Sequence, residues 1–292
     1  MPVLEIIEDD FVAPDHGEWS FLGDDSTKSI LHTVVRATAR IEFVDDEGED
    51  LYATGFLVGE RLLTTNRHVA ERFCGGVGSR GLSLVRNAFA NFKVECGGRD
   101  PERVEVDTPL LIHPHWDWAL LSLKSSLPGR PNLRFDVRPP EAIVGQAIAV
   151  VGHPKRTPSV GGANHQTRLL RCRGGNVRSG VKRIATGRLK PRESINDHFG
   201  NDCLVLKHTA STLPSNSGSP IVDLSTGTIV GIHVGGRRYL EPNDAVPGHE
   251  LAKDARVVSK GVAFSGTINA TDDWEAKWLV ADSDDGLDES IS

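Results

Sequence analysis

No run of 18 apolar residues occurs in the 292-residue chain, so no segment has the length of a membrane-spanning helix. No Lys or Arg precedes Lys28, and Glu5 breaks the first apolar stretch, so the start lacks the basic and apolar regions of a secretory signal. The expectation is a cytoplasmic protein with no membrane partner. The four cysteines (Cys74, Cys96, Cys172 and Cys203) contain no C-x-x-C pair, which argues against a zinc ribbon or a dense disulfide framework. Free thiols in a reducing compartment are expected, with a Cys172–Cys203 bridge as the alternative. The Gly75–Gly81 stretch lacks the spacing of a phosphate-binding loop, and His113-x-His115 has no evident third ligand, so neither a cofactor nor a metal is implied. No internal repeat is readable.

What is present suits a folded chain. Apolar residues make up 38% and charged residues 25%, outside the ranges of disordered and collagen-like sequences. A chain of this length buries roughly 75% of its unfolded surface, enough for one large domain or two similar halves. Charge is segregated. Residues 1–27 carry eight acids and no base, and residues 278–292 carry five acids and no base. The body between them holds 33 bases against 27 acids, a net +6 inside a chain whose total is −7. A positive body with negative arms either folds the arms back on itself or keeps nucleic acid away.

Short segments rich in Val, Ile, Leu and Thr recur between Gly, Pro, Asn and Asp, which predicts about a dozen strands and an all-β fold. Pro128, Pro131, Pro139 and Pro140 interrupt the pattern between residues 125 and 144 and read as a crossing between two β units. The economical architecture is two consecutive antiparallel six-stranded β-barrels. The divisions are an acidic arm (1–27), a first barrel (28–135), a second barrel (136–270) and a short helix with an acidic tail (271–292). Helical spacing is confined to residues 27–35 and 272–279.

Three segments carry chemistry. Leu62-Leu63-Thr64-Thr65-Asn66-Arg67-His68 is a strand ending in a turn that presents a histidine. Alone it is equally a surface or core histidine. In His115-Trp116-Asp117-Trp118-Ala119-Leu120-Leu121 one carboxylate sits at an apolar strand start, where burial demands a partner: a catalytic one, or simply an Arg or a backbone amide. Pro214-Ser215-Asn216-Ser217-Gly218-Ser219-Pro220 is a small-residue turn feeding a strand. It is either an ordinary loop or a set of backbone N–H groups aimed one way beside a hydroxyl. Together the three are complementary. A serine needs a base to take its proton, and the base needs a carboxylate to hold its tautomer. The order His68, Asp117, Ser217 places base and carboxylate in the first unit and the hydroxyl in the second, with the site in the cleft between them.

With Gly55-Phe56-Leu57-Val58, Val151-Gly152-His153-Pro154 and Gly231-Ile232-His233-Val234-Gly235-Gly236 added, residues 33–270 resemble a trypsin-like (chymotrypsin-fold) serine peptidase. The branch is the bacterial one that includes glutamyl endopeptidases and high-temperature-requirement proteases. The resemblance implies Ser217 as nucleophile, His68 as base and then acid, Asp117 as orienter, and the amides of Ser215 and Ser217 as oxyanion donors. It also places Ser211, Thr212, His233, Val234, Gly235 and Gly236 around the primary specificity pocket. Ser211, not an acid, stands at the pocket base, which disfavours Arg or Lys substrates. Thr212 and His233 match positions that bind a substrate carboxylate in glutamyl endopeptidases, and Arg237-Arg238 follow closely. An acidic side chain before the scissile bond is expected; the alternative is that His233 braces the barrel wall.

Two positions depart from the family pattern. Ser215 replaces the usual Gly two residues before the nucleophile, which implies strain if that backbone needs positive φ, or a latent site if the peptide turns away. Asn216 stands where pancreatic-type enzymes carry an Asp that pairs with a new amino terminus, so activation by such a salt bridge is not expected.

Between Thr167 and Arg192 there are nine bases and no acid (Arg168, Arg171, Arg173, Arg178, Lys182, Arg183, Arg188, Lys190 and Arg192). This reads as a solvated hairpin face, a phosphate-binding surface, or a dock for the acidic arm Glu5–Asp25 that limits access to the cleft. The favoured function is a regulated serine endopeptidase acting on protein or peptide substrates. The rival is a latent or non-catalytic scaffold that uses residues 168–192 to bind an acidic protein or nucleic acid.

Overall fold

The computed structural model describes residues 1–76, 81–98, 100–156, 163–172, 175–196, 202–236, 242–267 and 270–271. The expected helix over 272–279, the acidic tail, Arg173 and Arg237-Arg238 lie outside the described residues.

The first half of the chain follows β1 (Val3–Glu5) and α1 (Asp25–Ala37) with β2 (Thr38–Val44), β3 (Asp50–Gly59), β4 (Leu62–Thr65), α2 (Arg67–Ala70), β5 (Cys74–Gly75), β6 (Ser83–Leu84), β7 (Ala88–Asn91), β8 (Arg103–Ile112) and β9 (Ala119–Leu123). Strands β2-β3-β4-β9-β8-β7 close into an antiparallel barrel. The second half comprises β10 (Ala147–Gly152), α3 (Ala163–Leu170), β11 (Arg183–Asn196), β12 (Asp202–His208), β13 (Pro220–Asp223), β14 (Ile229–Gly235), β15 (Asn243–Pro247), α4 (Gly248–Leu251) and α5 (Ala255–Ser259). These strands form a seven-stranded sheet in the order β1-β11-β10-β13-β14-β15-β12, and β11 also pairs with β12. The protein is thus mostly β with one closed six-stranded barrel and a second antiparallel sheet.

Strands buried on both faces explain why so much of the pattern is continuous rather than alternating. In β3, Leu57 points into the first barrel's core with Ile41, Leu63, Phe73 and Leu121. Its neighbours Phe56 and Val58 face the opposite way, into a shared core with Trp118, Phe135, Val151 and Ile184. The same alternation splits β10, whose Val150 packs in the second sheet's own core while Ala149 and Val151 join the shared one. Each fully buried Phe, Leu or Val contributes about 1.5–3 kcal/mol, so the interface between the halves is held as firmly as either core.

The acidic amino-terminal segment is a strap. Val3, Leu4 and Glu5 pair with Ala185, Ile184 and Arg183 of β11, while Ile6, Phe11, Trp19 and Leu22 pack in the shared core. Its charges meet Arg183, Lys93 and Arg188 through Glu5, Asp9 and Glu18. Among the described residues, no hydrogen bond or ion pair joins this strap to His68, Asp117 or Ser217.

The basic run is not one surface. Lys182 and Arg183 are buried; Arg188 pairs with Glu18, and Arg192 with Glu141 and Glu250. The Lys182 ammonium donates to the carbonyls of Val35 (2.9 Å) and Phe92 (2.7 Å). Burial pulls its pKa down to about 8, against the pull of Glu95. A tally of charges along the chain cannot register which of them packing takes inside: residues 181–187 are all buried, and exposure returns only at Arg188.

The cysteines also differ from expectation. Cys96, after β7, is bridged to Cys172, after α3, with Cα atoms 6.5 Å apart and a sequence separation of 76. Neither free thiols throughout nor a Cys172–Cys203 bridge describes this arrangement; Cys203 is buried on β12 and takes no part in the bridge. The bridge ties the two halves together. No described helix is long and apolar enough to cross a membrane.

Candidate active site

Register brings the first two sequence-predicted residues together. Thr65, the last residue of β4, pairs with Ala119, the first of β9. His68 follows Thr65 by three residues, and Asp117 precedes Ala119 by two. Asp117 accepts two hydrogen bonds from His68, from its backbone N–H at 2.9 Å and its ring Nδ1 at 2.7 Å. A carboxylate bonded to Nδ1 leaves Nε2 as the ring nitrogen that can take up a proton. Asn66, fully buried, donates from Nδ2 to the carbonyl of Asp117 at 2.9 Å. Arg67 donates to the carbonyls of His113 and Pro114. The two residues that precede His68 therefore hold the segment that carries Asp117, a role not read from the sequence.

A second histidine–aspartate pair supports the same segment. Buried His113 accepts the N–H groups of His115 and Trp116 at Nδ1, which leaves its Nε2–H to meet Asp254 at 2.9 Å. Asp254 caps α5 through the Arg256 amide. It stays ionised well below the usual carboxylate range, because hydrogen bonds from His113 and Arg256 outweigh burial.

Ser217 lies on the turn between β12 and β13. Its hydroxyl donates to the carbonyl of Val234 at 3.0 Å, and its own carbonyl accepts from the Thr54 N–H at 3.0 Å. Gly218 has φ +86°, and a Cβ there would stand 2.0 Å from the Thr54 carbonyl, so only glycine fits. Ser215 has φ +70°. It therefore holds the conformation a glycine would adopt, at a strain of about 1–3 kcal/mol. Among the described residues, no acceptor engages the N–H of Ser215 or of Ser217.

The expected pocket residues are distributed unevenly. Ser211 and Thr212 are half-buried on the loop that leads to Ser217. Val234 touches the Ser217 hydroxyl, and a Cβ on Gly235 would meet nothing within 4 Å, so this edge borders open space. Gly236, at the strand's end, is exposed. His233 is buried, and its Nδ1 lies 3.0 Å from Nε2 of His208. The backbone N–H of Ala210 points at His208 Nδ1 (3.3 Å), so His208 carries its proton on Nε2 and donates it to His233. His233 then carries its own proton on Nε2. Burial lowers the His233 pKa to about 3, and a proton on nearby His68 would lower it further, so His233 is a neutral donor near pH 7. His208 was not singled out from the sequence; a His 25 residues before another carries no local signal.

Residues 53–232 match the trypsin-like peptidase domain, which covers more than half of the chain, and the protein belongs to that family. No curated protein matches the sequence significantly. Among solved structures, the active form of the Rv3671c protease from M. tuberculosis superposes with a TM-score of 0.53 at 21% identity, covering 82% of this chain and 86% of that one. The inactive form of the same protease gives 0.51 at 20% identity, covering 80% and 93%. The HtrA-type protease AlgW with a tripeptide gives 0.52 at 16% identity, covering 81% of this chain and 64% of that one. At these identities the likeness is one of fold.

Proposed function

We propose that the protein is a serine endopeptidase that hydrolyses peptide bonds through an acyl-enzyme, with its site between the closed barrel and a second barrel formed by β10 to β15. The observation that carries the reading is the doubly bonded His68–Asp117 pair combined with the Ser215 and Ser217 amides, which have no acceptor among the described residues. Ser217 turns its hydroxyl from Val234 toward Nε2 of His68, which takes the proton as Ser217 attacks the substrate carbonyl. Asp117 keeps the imidazolium oriented, and the two amides stabilise the oxyanion. His68 returns the proton to the leaving amine, and a water activated the same way releases the acyl group. The chemistry calls for no cofactor or metal.

We read the specificity as acidic. A neutral His233 Nε2–H, with Thr212 and Ser211 on the loop that leads to Ser217, offers hydrogen bonds to a carboxylate rather than a charge. The scaffold alternative is less favoured, because Lys182 and Arg183 are buried and Arg188 and Arg192 are engaged by acids. The experiment incubates wild type and Ser217→Ala with an unfolded, sequence-diverse protein and locates new termini by mass spectrometry. A fluorophosphonate probe on the same samples reports the nucleophile. Cleavage after Glu or Asp by wild type alone, with Ser217 labelled, is the expected result. Cleavage elsewhere retains the peptidase and removes the acidic pocket; labelling absent from wild type removes the serine mechanism.

A further inference from the structure

Ser215 is bracketed by two peptide groups, and each is pinned by a different part of the molecule. On its amino side the Pro214 carbonyl accepts the backbone N–H of Lys155 at 2.7 Å, from the segment that leaves β10. In a trans peptide the N–H points opposite to the carbonyl, so this bond turns the Ser215 N–H away from Lys155. On its carboxyl side the Ser215 carbonyl accepts the hydroxyl of Thr54 at 3.0 Å, from β3 of the closed barrel. The left-handed φ of Ser215 lies between these two pinned planes.

Thr54 is fully buried and uses every polar atom it has. Its N–H holds the Ser217 carbonyl at 3.0 Å, and its carbonyl accepts the Thr65 hydroxyl at 2.8 Å, on the strand that leads to His68. Its hydroxyl, while donating to Ser215, accepts the His153 N–H at 3.1 Å. One threonine of the first half thus joins the histidine-bearing strand, the exit of β10 and the oxyanion loop of the second half.

Building on the serine endopeptidase reading, we infer that Thr54 is a positioning residue: its hydroxyl, opposed by the Lys155 N–H on Pro214, holds Ser215 in the conformation that presents its N–H to the developing oxyanion. A glycine at 215 would reach that φ unaided, so the clamp compensates for a serine at this position. The Ser215 N–H that this clamp orients is engaged only as the oxyanion develops, so loss of the hydroxyl falls on kcat.

The test compares Thr54→Val, Thr54→Ser, Ser215→Gly and the Thr54→Val/Ser215→Gly double variant on one peptide substrate. Losing one oxyanion donor removes about 10²–10³ in rate, so Thr54→Val is expected to lower kcat on the order of 10–100-fold with KM within about twofold. Thr54→Ser keeps the hydroxyl and is expected to retain kcat, and Ser215→Gly is expected to restore most of the loss in the double variant. Unchanged kcat in Thr54→Val overturns the inference, and so does a loss that glycine fails to restore, because a general packing defect is indifferent to residue 215. If Thr54→Val does not fold, Thr54→Ala takes its place in the same comparison. Crystal structures of the valine or alanine variant give a readout independent of activity: φ at Ser215 is expected to turn negative, and φ still near +70° overturns the clamp. If wild type is not labelled at Ser217 by the fluorophosphonate, the peptidase reading falls by itself while the crystallographic comparison still decides the role of Thr54.

Discussion

Asp117 grips His68 at both its main chain and its ring, with Oδ1 on the backbone N–H and Oδ2 on Nδ1. The first bond fixes where the residue sits and the second fixes how its ring faces. In Asp117→Asn one of these acceptors becomes an NH₂ group, which cannot accept from His68 and favours the wrong ring tautomer. The expected result is a fall in kcat of about 10³–10⁴-fold with little change in fold, by analogy with the loss when a triad carboxylate becomes an amide. Steady-state kinetics with circular dichroism as the folding control checks it; activity within tenfold of wild type would remove Asp117 from the mechanism.

His208 donates a hydrogen bond to His233 at 3.0 Å, and the proposed acidic pocket rests on that pair. His233→Ala is expected to lower kcat/KM for a substrate with Glu before the scissile bond by roughly 10-fold or more, since a site built to hydrogen-bond a polar group loses most when that bond goes. The same variant should act on the matched Leu substrate within a few-fold of wild type. Equal losses on the two substrates would make His233 a wall residue only.

Four buried histidines (His113, His153, His208 and His233) are held neutral, each with burial as the leading cause of a lowered pKa. For His233 the folded value is about 3 against an ordinary 6.5. Between those values the unfolded chain binds more protons than the folded one, so stability falls as the pH drops below 6.5. Each such group steepens the fall by up to about 1.4 kcal/mol per pH unit. Acids whose pKa is lowered, such as Asp136, enter only further down, toward and below 3.8. The upper part of the window belongs to the histidines. Urea unfolding midpoints measured from pH 7.5 to pH 4.5 should decline steadily, and a flat profile over that range would contradict neutral burial.

The Cys96–Cys172 bridge closes a loop across a sequence separation of 76 and joins the two halves. Constraining an unfolded loop of that size typically stabilises by about 2–4 kcal/mol. Replacing both cysteines with alanine is expected to lower unfolding stability by that order, and a reductant should lower it in wild type but not in the double variant. Identical denaturation curves with and without reductant would show that the bridge does not form.

Adjacency along the chain made part of this protein legible. The histidine turn after Thr65, the carboxylate before Ala119 and the turn around Ser217 announce themselves because each couples a strand to a specific chemical group within a few residues. Helix α1 was likewise readable from apolar spacing. The shared core was not, since strands such as β3 and β10 bury both faces and lose the alternation that would assign each residue to a side. The same blindness let Lys182 and Arg183 pass as members of a solvated basic face.

The order of His68, Asp117 and Ser217, the β character of the chain and the unusual serine at 215 follow from the sequence alone, because composition and local pattern specify them. The conformation of that serine was decided elsewhere. Its φ of +70° rests on Thr54, 161 residues away, and on the amide of Lys155, and the protonation of His233 rests on His208. A hydrogen bond between distant segments exists only once packing brings donor and acceptor within about 3 Å, and nothing in the residues between them records it.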